Sequence, residues 1–299
     1  MSLAQAIAPT RPALRVVANA NASGSPGQDR LGSLVAAMRT AGADVELERT
    51  ATLDELAALW QEDDGRRLVL VGGDGSLHAV ANLPGERRDV ALIPAGRANN
   101  VARSLGIPLD WEGAARLAVE GSVQPIDLID ARTPGKHRFV VESVSVGFLA
   151  QARVRYHGRN SADLLAGARA GAATLSRFHP LGTYVAGPSG EELLELSQLF
   201  VANLPLYEFG LRVAPQADPG DAMLDLIGIA APTRLAVLKM LFDLRHGQHL
   251  PQRGVHTWRA KRIDIATNGC SPIVADSMDL GWGPVELRAA PAALRLVRP

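Results

Sequence analysis

Gly72, Gly73 and Gly75 surround Asp74 in the stretch VLVGGDGSLH, residues 69–78. The aliphatic run before them has the character of a buried strand. Glycine has no side chain, so this loop leaves backbone N–H groups able to close on an anion. The end of a parallel strand is where open α/β sheets place ligands. A helix opening after the loop would turn its positive end toward the same place. Phosphate is the chemistry this composition suits. The segment GDGSLH reads G-x-G-x-x-H, without the third glycine of a dinucleotide fingerprint, and no G-K-[ST] follows to make a Walker loop. A tight turn without a ligand would need only two glycines, so the third glycine and the aspartate favour an anion.

Other chemistries find less support. The histidines at 78, 137, 157, 179, 246, 249 and 256 show no H-E-x-x-H spacing, and the pair in HGQH (246–249) lacks a third ligand. No G-x-S-x-G elbow makes Ser143 or Ser145 a hydrolase nucleophile. Cys270 is the single cysteine, which excludes an internal disulfide framework and a cysteine-cluster metal site, and fits a reducing compartment. Formal net charge is zero, so global charge points to neither nucleic acid nor membrane. Local charge is uneven. Residues 151–180 carry Arg153, Arg155, Arg159, Arg169 and Arg177 against Asp163, an excess of +4 (5 − 1), and a second run holds Arg253, Arg259, Lys261 and Arg262. Such runs suit either a solvated face or a peripheral contact with anionic lipid. The start of the chain lacks the basic head and long apolar core of a secretory signal, and no stretch of about 18 apolar residues suggests a membrane span. A cytoplasmic protein, peripheral to the membrane at most, is the expectation.

The elements that must hold the glycine loop are legible. LRVVANA (14–20), DVELERT (44–50), RLVLVGG (67–73) and DVALIPAG (89–96) read as strands. Between them, Leu31, Leu34, Val35 and Met38 fall on one helical face, with Gly42 as the stop. TLDELAALWQE opens on Thr52 with Glu55 three residues later, a capping box. ANNVARSLG reads as a short helix stopped by Gly106 and Pro108. Strands alternating with such helices predict parallel βαβ units in a layered α/β nucleotide-binding domain, residues 1–125. Beyond it the segments HRFVVESVSVGFLA, GTYVAGPSG, LELSQLFVANLP, AMLDLIGIA, RIDIATN and GPVELRAA are strand-like, with helical patches at 161–177 and 233–246. A second, β-rich, sandwich-like domain over 126–299 is predicted.

The loop resembles the GGDGT loop of the diacylglycerol kinase and sphingosine kinase superfamily. Further segments resemble that family in the same order. NANASG (19–24) is similar to its N-P-x-S-G loop, and IPAGRANNVARSLGIP (93–108) to its P-x-G-T-x-N-D-x-A-R-x-L-x-I-P. VESVSVGFLAQ (141–151), APQADPGDAMLDL (214–226) and the closing residues 283–299 resemble segments of its second domain. The resemblance implies a two-domain, ATP-dependent kinase with the nucleotide in a cleft between the domains and a lipid or lipid-like hydroxyl as acceptor. It implies that the stretch Gly72, Gly73, Asp74, Gly75, Ser76, Leu77 and His78 cradles phosphates. Asn19, Thr50, Gly96 and Arg97 would help hold the nucleotide, and Asp74 would act near Mg²⁺-ATP. It also implies a structural Mg²⁺ site at Asp221 and the Met223 carbonyl, with Asp218 beside them. No nucleic acid is implied.

Three departures bear on activity. Arg97 and Asn100 stand where the family has threonine and aspartate. The glycine of the D-G-x-L-D segment is Ala222. The family's D-G-E, whose glutamate is the general base, is here Asp276, Ser277 and Met278, and a thioether cannot accept a proton. Asp276 and Asp279 are the remaining carboxylates. Neighbouring strand residues face opposite ways, so Asp279 could replace the glutamate only if a bulge or loop re-aims it. A kinase-fold protein that binds nucleotide or lipid without phosphorylating anything is the alternative, and a kinase for a non-lipid acceptor is the third.

Overall fold

The computed structural model describes residues 12–19, 27–62, 64–156, 164–187, 190–268 and 271–299. The loop residues 20–24, His157, Arg159, Asp163 and Cys270 discussed above lie outside these. The chain forms two compact units, Met1–Gln124 with Arg295–Pro299, and Pro125–Leu294.

In the first unit, β1 (Ala13–Asn19), β2 (Asp44–Thr50), β3 (Arg67–Gly72) and β4 (Asp89–Pro94) form a parallel sheet in the order β2-β1-β3-β4. The helices are α1 (Gln28–Thr40), α2 (Leu53–Gln61), α3 (Asp74–Val80), α4 (Asn100–Ser104) and α5 (Trp111–Glu120). Alternation sorts the strand residues. Val69, Val71, Ala91 and Ile93 pack with Leu31, Leu34, Val35 and Met38 of α1 and with the alanines of α5. Leu68, Leu70, Val90 and Leu92 face the other way and are also buried, as are Leu56, Trp60 and Leu77 of α2 and α3. The capping box forms: Glu55 N–H donates to Thr52 Oγ1 at 3.2 Å and Thr52 N–H to Glu55 Oε2 at 3.4 Å. Buried Arg88 donates to the Leu59, Glu62 and Arg66 carbonyls at 2.7–2.9 Å, so one guanidinium closes the end of α2 onto the start of β3. Arg88 and Arg15 both pair with Asp64, at 2.8 and 2.9 Å. Burial alone would raise the Asp64 carboxyl, but the Arg66 N–H and the two arginines hold it below the usual carboxylate range.

The second unit begins within β5 (Ser122–Thr133), followed by β6 (Lys136–Val140), β7 (Ser143–Gly147), α6 (Phe148–Tyr156) and α7 (Leu164–Ser176). Then come β8 (Leu181–Gly187), β9 (Gly190–Leu196), β10 (Gln198–Ala202) and the short pair β11 (Leu206–Tyr207) and β12 (Leu211–Arg212). The remainder is β13 (Leu224–Ile229), α8 (Arg234–His246), β14 (Val255–Ala260), β15 (Arg262–Thr267), β16 (Ile273–Ala275), β17 (Met278–Gly281) and β18 (Val285–Arg298). One antiparallel sheet runs β14-β13-β10-β7-β16-β17, and a second joins β9, β8, β15 and β18, with β5 on β18 and β6 on β5. Leu199 and Val201 of β10 enter the core between the sheets, while Phe200 and Ala202 face Val237, Met240 and Leu244 of α8. The last residues of β18 belong to the first unit, where Arg295 and Leu296 run parallel to Asp89 and Val90. The mixed α/β plus β-sandwich class is thus as the sequence predicts.

Two local readings are corrected. The strand-like segment at 137–150 holds two strands, β6 and β7, and turns into helix α6 at Phe148. Gly147 sits at φ +114°, with Ser197 backbone where a Cβ would go, and this glycine redirects the chain. The segment LELSQLFVANLP is two strands, broken at Ser197, whose hydroxyl donates to the Ala231 carbonyl at 2.6 Å and accepts from Ala231 N–H at 3.0 Å.

Candidate functional site

The parallel strands of the first unit end in a shared cleft of about 230 Å³. Asn19 closes β1, Thr50 closes β2, and Gly75 and Ser76 follow β3; all four line this cleft, over a floor that includes Val17, Leu56 and Leu70. Thr50 is buried. The volume is below the ~300–1,000 Å³ of a whole ligand pocket, so the cleft suits one portion of a ligand. Gly75 contributes an open wall: a Cβ added there would meet nothing within 4 Å.

A second junction braces the loop from behind. A Cβ on Gly73 would lie 2.9 Å from Gly96 Cα, and a Cβ on Gly96 would lie 2.6 Å from Gly73 Cα. The two glycine loops therefore touch backbone to backbone, a contact no side chain permits. Ala95 N–H donates to the Gly72 carbonyl at 2.8 Å, continuing the β3–β4 pairing into the loops. Asn99, in the left-handed region at φ +48°, closes its own turn on Gly96: its Oδ1 accepts from Gly96 N–H at 3.0 Å and its Nδ2 donates to the Gly96 carbonyl at 2.9 Å. Asp74 locks the junction. Its two carboxylate oxygens accept from Asn100 N–H and Val101 N–H, both at 3.0 Å, where α4 begins. The sequence reading placed Asp74 beside Mg²⁺-ATP; the structure shows it engaged with the neighbouring loop's backbone.

Among the other predicted nucleotide contacts, Leu77 is fully buried and His78 nearly so. Both are set in the body of α3, past the first-turn N–H groups that a helix leaves free, so their side chains belong to the fold rather than to a phosphate cradle. Arg97 is exposed and is not among the residues lining the cleft, so it does not fill it.

The second unit places the carboxylates of the lost D-G-E segment. Asp276 and Ser277 have φ of +45° and +64° and form the two-residue turn between β16 and β17. Asp276 is buried, and its carboxylate accepts from Val141 N–H at 2.7 Å, Glu142 N–H at 2.8 Å and Ser143 N–H at 3.4 Å. Three of a carboxylate's roughly four lone-pair positions are taken. Asp276 is therefore engaged by the backbone at the entry to β7. Met278 is 45% exposed. A bulge does occur in β17, between the pairs Val274↔Asp279 and Ile273↔Gly281, and it sends Leu280 into the core. Asp279 stays partly exposed, with Oδ1 accepting from Gly281 N–H at 2.7 Å.

The acidic segment does not fit a Mg²⁺ ion. Asp221 Oδ1 accepts from Met223 N–H at 2.9 Å, and its other oxygen pairs with Arg259 Nη2. Arg259 Nε reaches Asp225 Oδ1 at 3.2 Å, and Asp218 Oδ1 is turned onto Gly220 N–H at 3.0 Å. A guanidinium already supplies the positive charge between Asp221 and Asp225. Burial pushes the Asp225 carboxyl up, Arg259 opposes this, and Asp221 and Asp218 add to the rise.

Asp127 carries no chemical motif and escaped the sequence reading. It is buried, with Oδ2 accepting from Ala222 N–H at 2.6 Å and Oδ1 from Ala292 N–H at 2.8 Å. Both alanines are left-handed, at φ +57° and +51°. Its partners are backbone groups, which leave no trace in residue types.

Comparison with known proteins fits this arrangement. Residues 13–131 match the diacylglycerol kinase catalytic domain, and residues 142–298 match the YegS C-terminal NAD kinase beta sandwich-like domain. A diacylglycerol kinase of Mycobacterium tuberculosis is 30% identical over 242 residues, 78% of this chain and 76% of that protein. The chain belongs to the diacylglycerol kinase family. The crystal structure of a diacylglycerol kinase from Bacillus anthracis superposes with a TM-score of 0.70 at 18% identity, covering 97% of both chains. An NAD kinase from Archaeoglobus fulgidus in complex with ATP superposes with a TM-score of 0.53 at 16% identity, covering 96% of this chain and 93% of that one. At these identities the two structures attest the fold. No described helix of this family member is long and apolar enough to cross a membrane.

Proposed function

We propose that this family member is an ATP-dependent kinase that phosphorylates a hydroxyl on a lipid or lipid-like acceptor. The observation that carries the reading is the cleft at the ends of β1, β2 and β3. It brings together Asn19, Thr50, Gly75 and Ser76, four positions that the family resemblance assigns to nucleotide. Bound there as its magnesium complex, ATP supplies the transferable phosphoryl group. The backbone at Gly75 approaches phosphate without a side chain in the way, and the Ser76 and Thr50 hydroxyls offer donors. Asp74 keeps the loop in place through Asn100 and Val101 rather than touching the ligand. Phosphoryl transfer is mostly positioning and charge neutralisation, so it asks less of a base than most reactions. Asp279 is the carboxylate of its segment with an oxygen not committed to a backbone N–H, and accepts the acceptor's proton in this reading.

The second reading is a member that binds nucleotide or lipid without transferring phosphate. Met278 at the place of the family's glutamate favours it, together with the anchoring of Asp276. Transfer of label from γ-³²P-ATP to diacylglycerol, and to a panel of other lipid alcohols, separates the two. Labelled lipid that disappears in Asp279→Asn while MgATP binding persists supports the kinase. Nucleotide binding without label on any acceptor supports the second reading.

A further inference from the structure

Helix α8 presents two unlike faces. Val237, Met240 and Leu244 are buried against the sheet. On the opposite side Leu235 is 76% exposed, Leu238 49% and Phe242 60%. At about 100° per residue these three lie within roughly 60° of one another, so they form one outward ridge rather than scattered apolar residues. A ridge of this kind is unusual on a surface that meets only water. The phenyl ring of Phe242 is backed by the His246 ring, 4.3 Å between centroids, which holds it upright on the helix.

The margins of the ridge are basic. Arg234 and Arg245 flank one side and Lys239 and His246 the other, by the same helical geometry. Over residues 230–256 the charges are Arg234, Lys239, Arg245 and Arg253 against Asp243 alone, a net +3 (4 − 1). Asp243 is buried and pairs with Lys239 at 2.7 Å, so these two charges offset each other and the net +3 rests on Arg234, Arg245 and Arg253. Arg234 donates to the Ser176 carbonyl at 2.5 Å, and the next residue, Arg177, is exposed. An apolar stripe with arginines along one margin and the polar Lys239 and His246 along the other is the arrangement of a helix lying in a membrane interface.

We propose that the outer face of α8 docks on an anionic phospholipid surface, with Leu235, Leu238 and Phe242 entering the boundary between headgroups and acyl chains. The basic margins meet the lipid phosphates. This surface shares no residue with the lining of the cleft in the first unit and does not depend on the kinase reading. The basic run at 151–180 singled out from the sequence is partly spent elsewhere, since Arg153 pairs with Glu208 at 3.0 Å and Arg155 donates to Thr174 Oγ1 at 2.9 Å.

The test is co-sedimentation of the full chain with vesicles of phosphatidylglycerol and phosphatidylcholine, against vesicles of phosphatidylcholine alone, without nucleotide. The protein is expected to sediment with the anionic vesicles and to be released by salt. The triple variant Leu235→Ser, Leu238→Ser, Phe242→Ser should lose about tenfold or more in partitioning. Arg234→Gln with Arg245→Gln should lose roughly fivefold per charge removed. All five side chains are exposed, so each variant should melt cooperatively within a few degrees of the wild type, the loss of the Arg234 bond to Ser176 included, and a melt confirms that each is folded. Absent sedimentation, or sedimentation unchanged in the folded triple variant, overturns the proposal. So does a wild-type dimer in light scattering that the triple variant converts to monomer, because the ridge would then cover a second copy.

Discussion

Replacing Asp74 tests whether the carboxylate braces the glycine loop or serves the ligand directly. In the structure both oxygens accept backbone N–H groups of α4 at 3.0 Å. Hydrogen bonds to a charged acceptor contribute about 1.5–3 kcal/mol each. Asp74 is partly exposed, so water would replace some of the loss. Asp74→Ala should therefore cost about 2–4 kcal/mol. Asp74→Asn keeps one acceptor oxygen and should cost about 1–2 kcal/mol. Gly96→Ala is the companion variant, because it forces the same two loops apart: its Cβ would lie 2.6 Å from Gly73 Cα, and overpacking of this kind costs about 1–3 kcal/mol. Urea unfolding followed by circular dichroism measures all three. The transition that reports the first unit is the one to read, since two units need not unfold together. If both Asp74 variants keep wild-type stability within about 0.5 kcal/mol while losing MgATP binding, the bracing role is wrong and the carboxylate acts on the bound ligand.

Three further outcomes follow from the second unit. Ala222 sits at φ +57°, where an L-residue carries about 1–2 kcal/mol of strain; Ala222→Gly removes it against a glycine entropy cost of about 0.5–1 kcal/mol, so the melting temperature should rise by a degree or more, and a fall would contradict the strain. Arg259→Ala should lower the melting temperature in chelator and recover part of it in millimolar Mg²⁺ or Ca²⁺, whereas the wild type should not respond; an equal response in the wild type would mean that a cation binds with the arginine in place. His249 is buried, and its Nε2–H donates to the Val213 carbonyl at 2.9 Å. Burial holds the imidazole below its ordinary value, against the opposing Val213 bond. The unfolded chain then takes up the proton first, so this contribution is complete above about pH 6.5 and is lost as pH falls toward the lower folded value. Melting between pH 7.5 and 5.5 should fall more steeply for the wild type than for His249→Gln, and parallel curves would contradict it.

The sequence was most legible where a backbone requirement dictates the residue. Gly72, Gly73 and Gly75 marked the loop, Thr52 and Glu55 the start of α2, and Leu31, Leu34, Val35 and Met38 the buried face of α1. Position 148 was misread because Phe148 and Leu149 suit a strand as well as a helix, and the turn is set by Gly147 against Ser197 across the sheet. Asp74, Asp127 and Asp276 were harder still. Each is a carboxylate whose partners are backbone N–H groups, up to 165 residues away for Asp127 and Ala292. Nothing in residue type separates a carboxylate held by backbone from a catalytic acid, so the sequence points to Asp74 and Asp276 for chemistry and gives no sign of their backbone partners or of Asp127. Arg259 is a similar case: only the geometry shows that it already neutralises the acids a metal would have needed.

The account rests on nucleotide binding in the cleft at the ends of β1, β2 and β3, and one titration addresses it. MgATP is titrated calorimetrically into the wild type and into Gly75→Val. The added side chain meets no protein atom within 4 Å at its Cβ, yet projects from a residue that lines the cleft. Saturable binding to the wild type, lost in a variant with an unchanged melt, is the predicted result. No binding at millimolar MgATP, or equal binding by both proteins, would contradict the account.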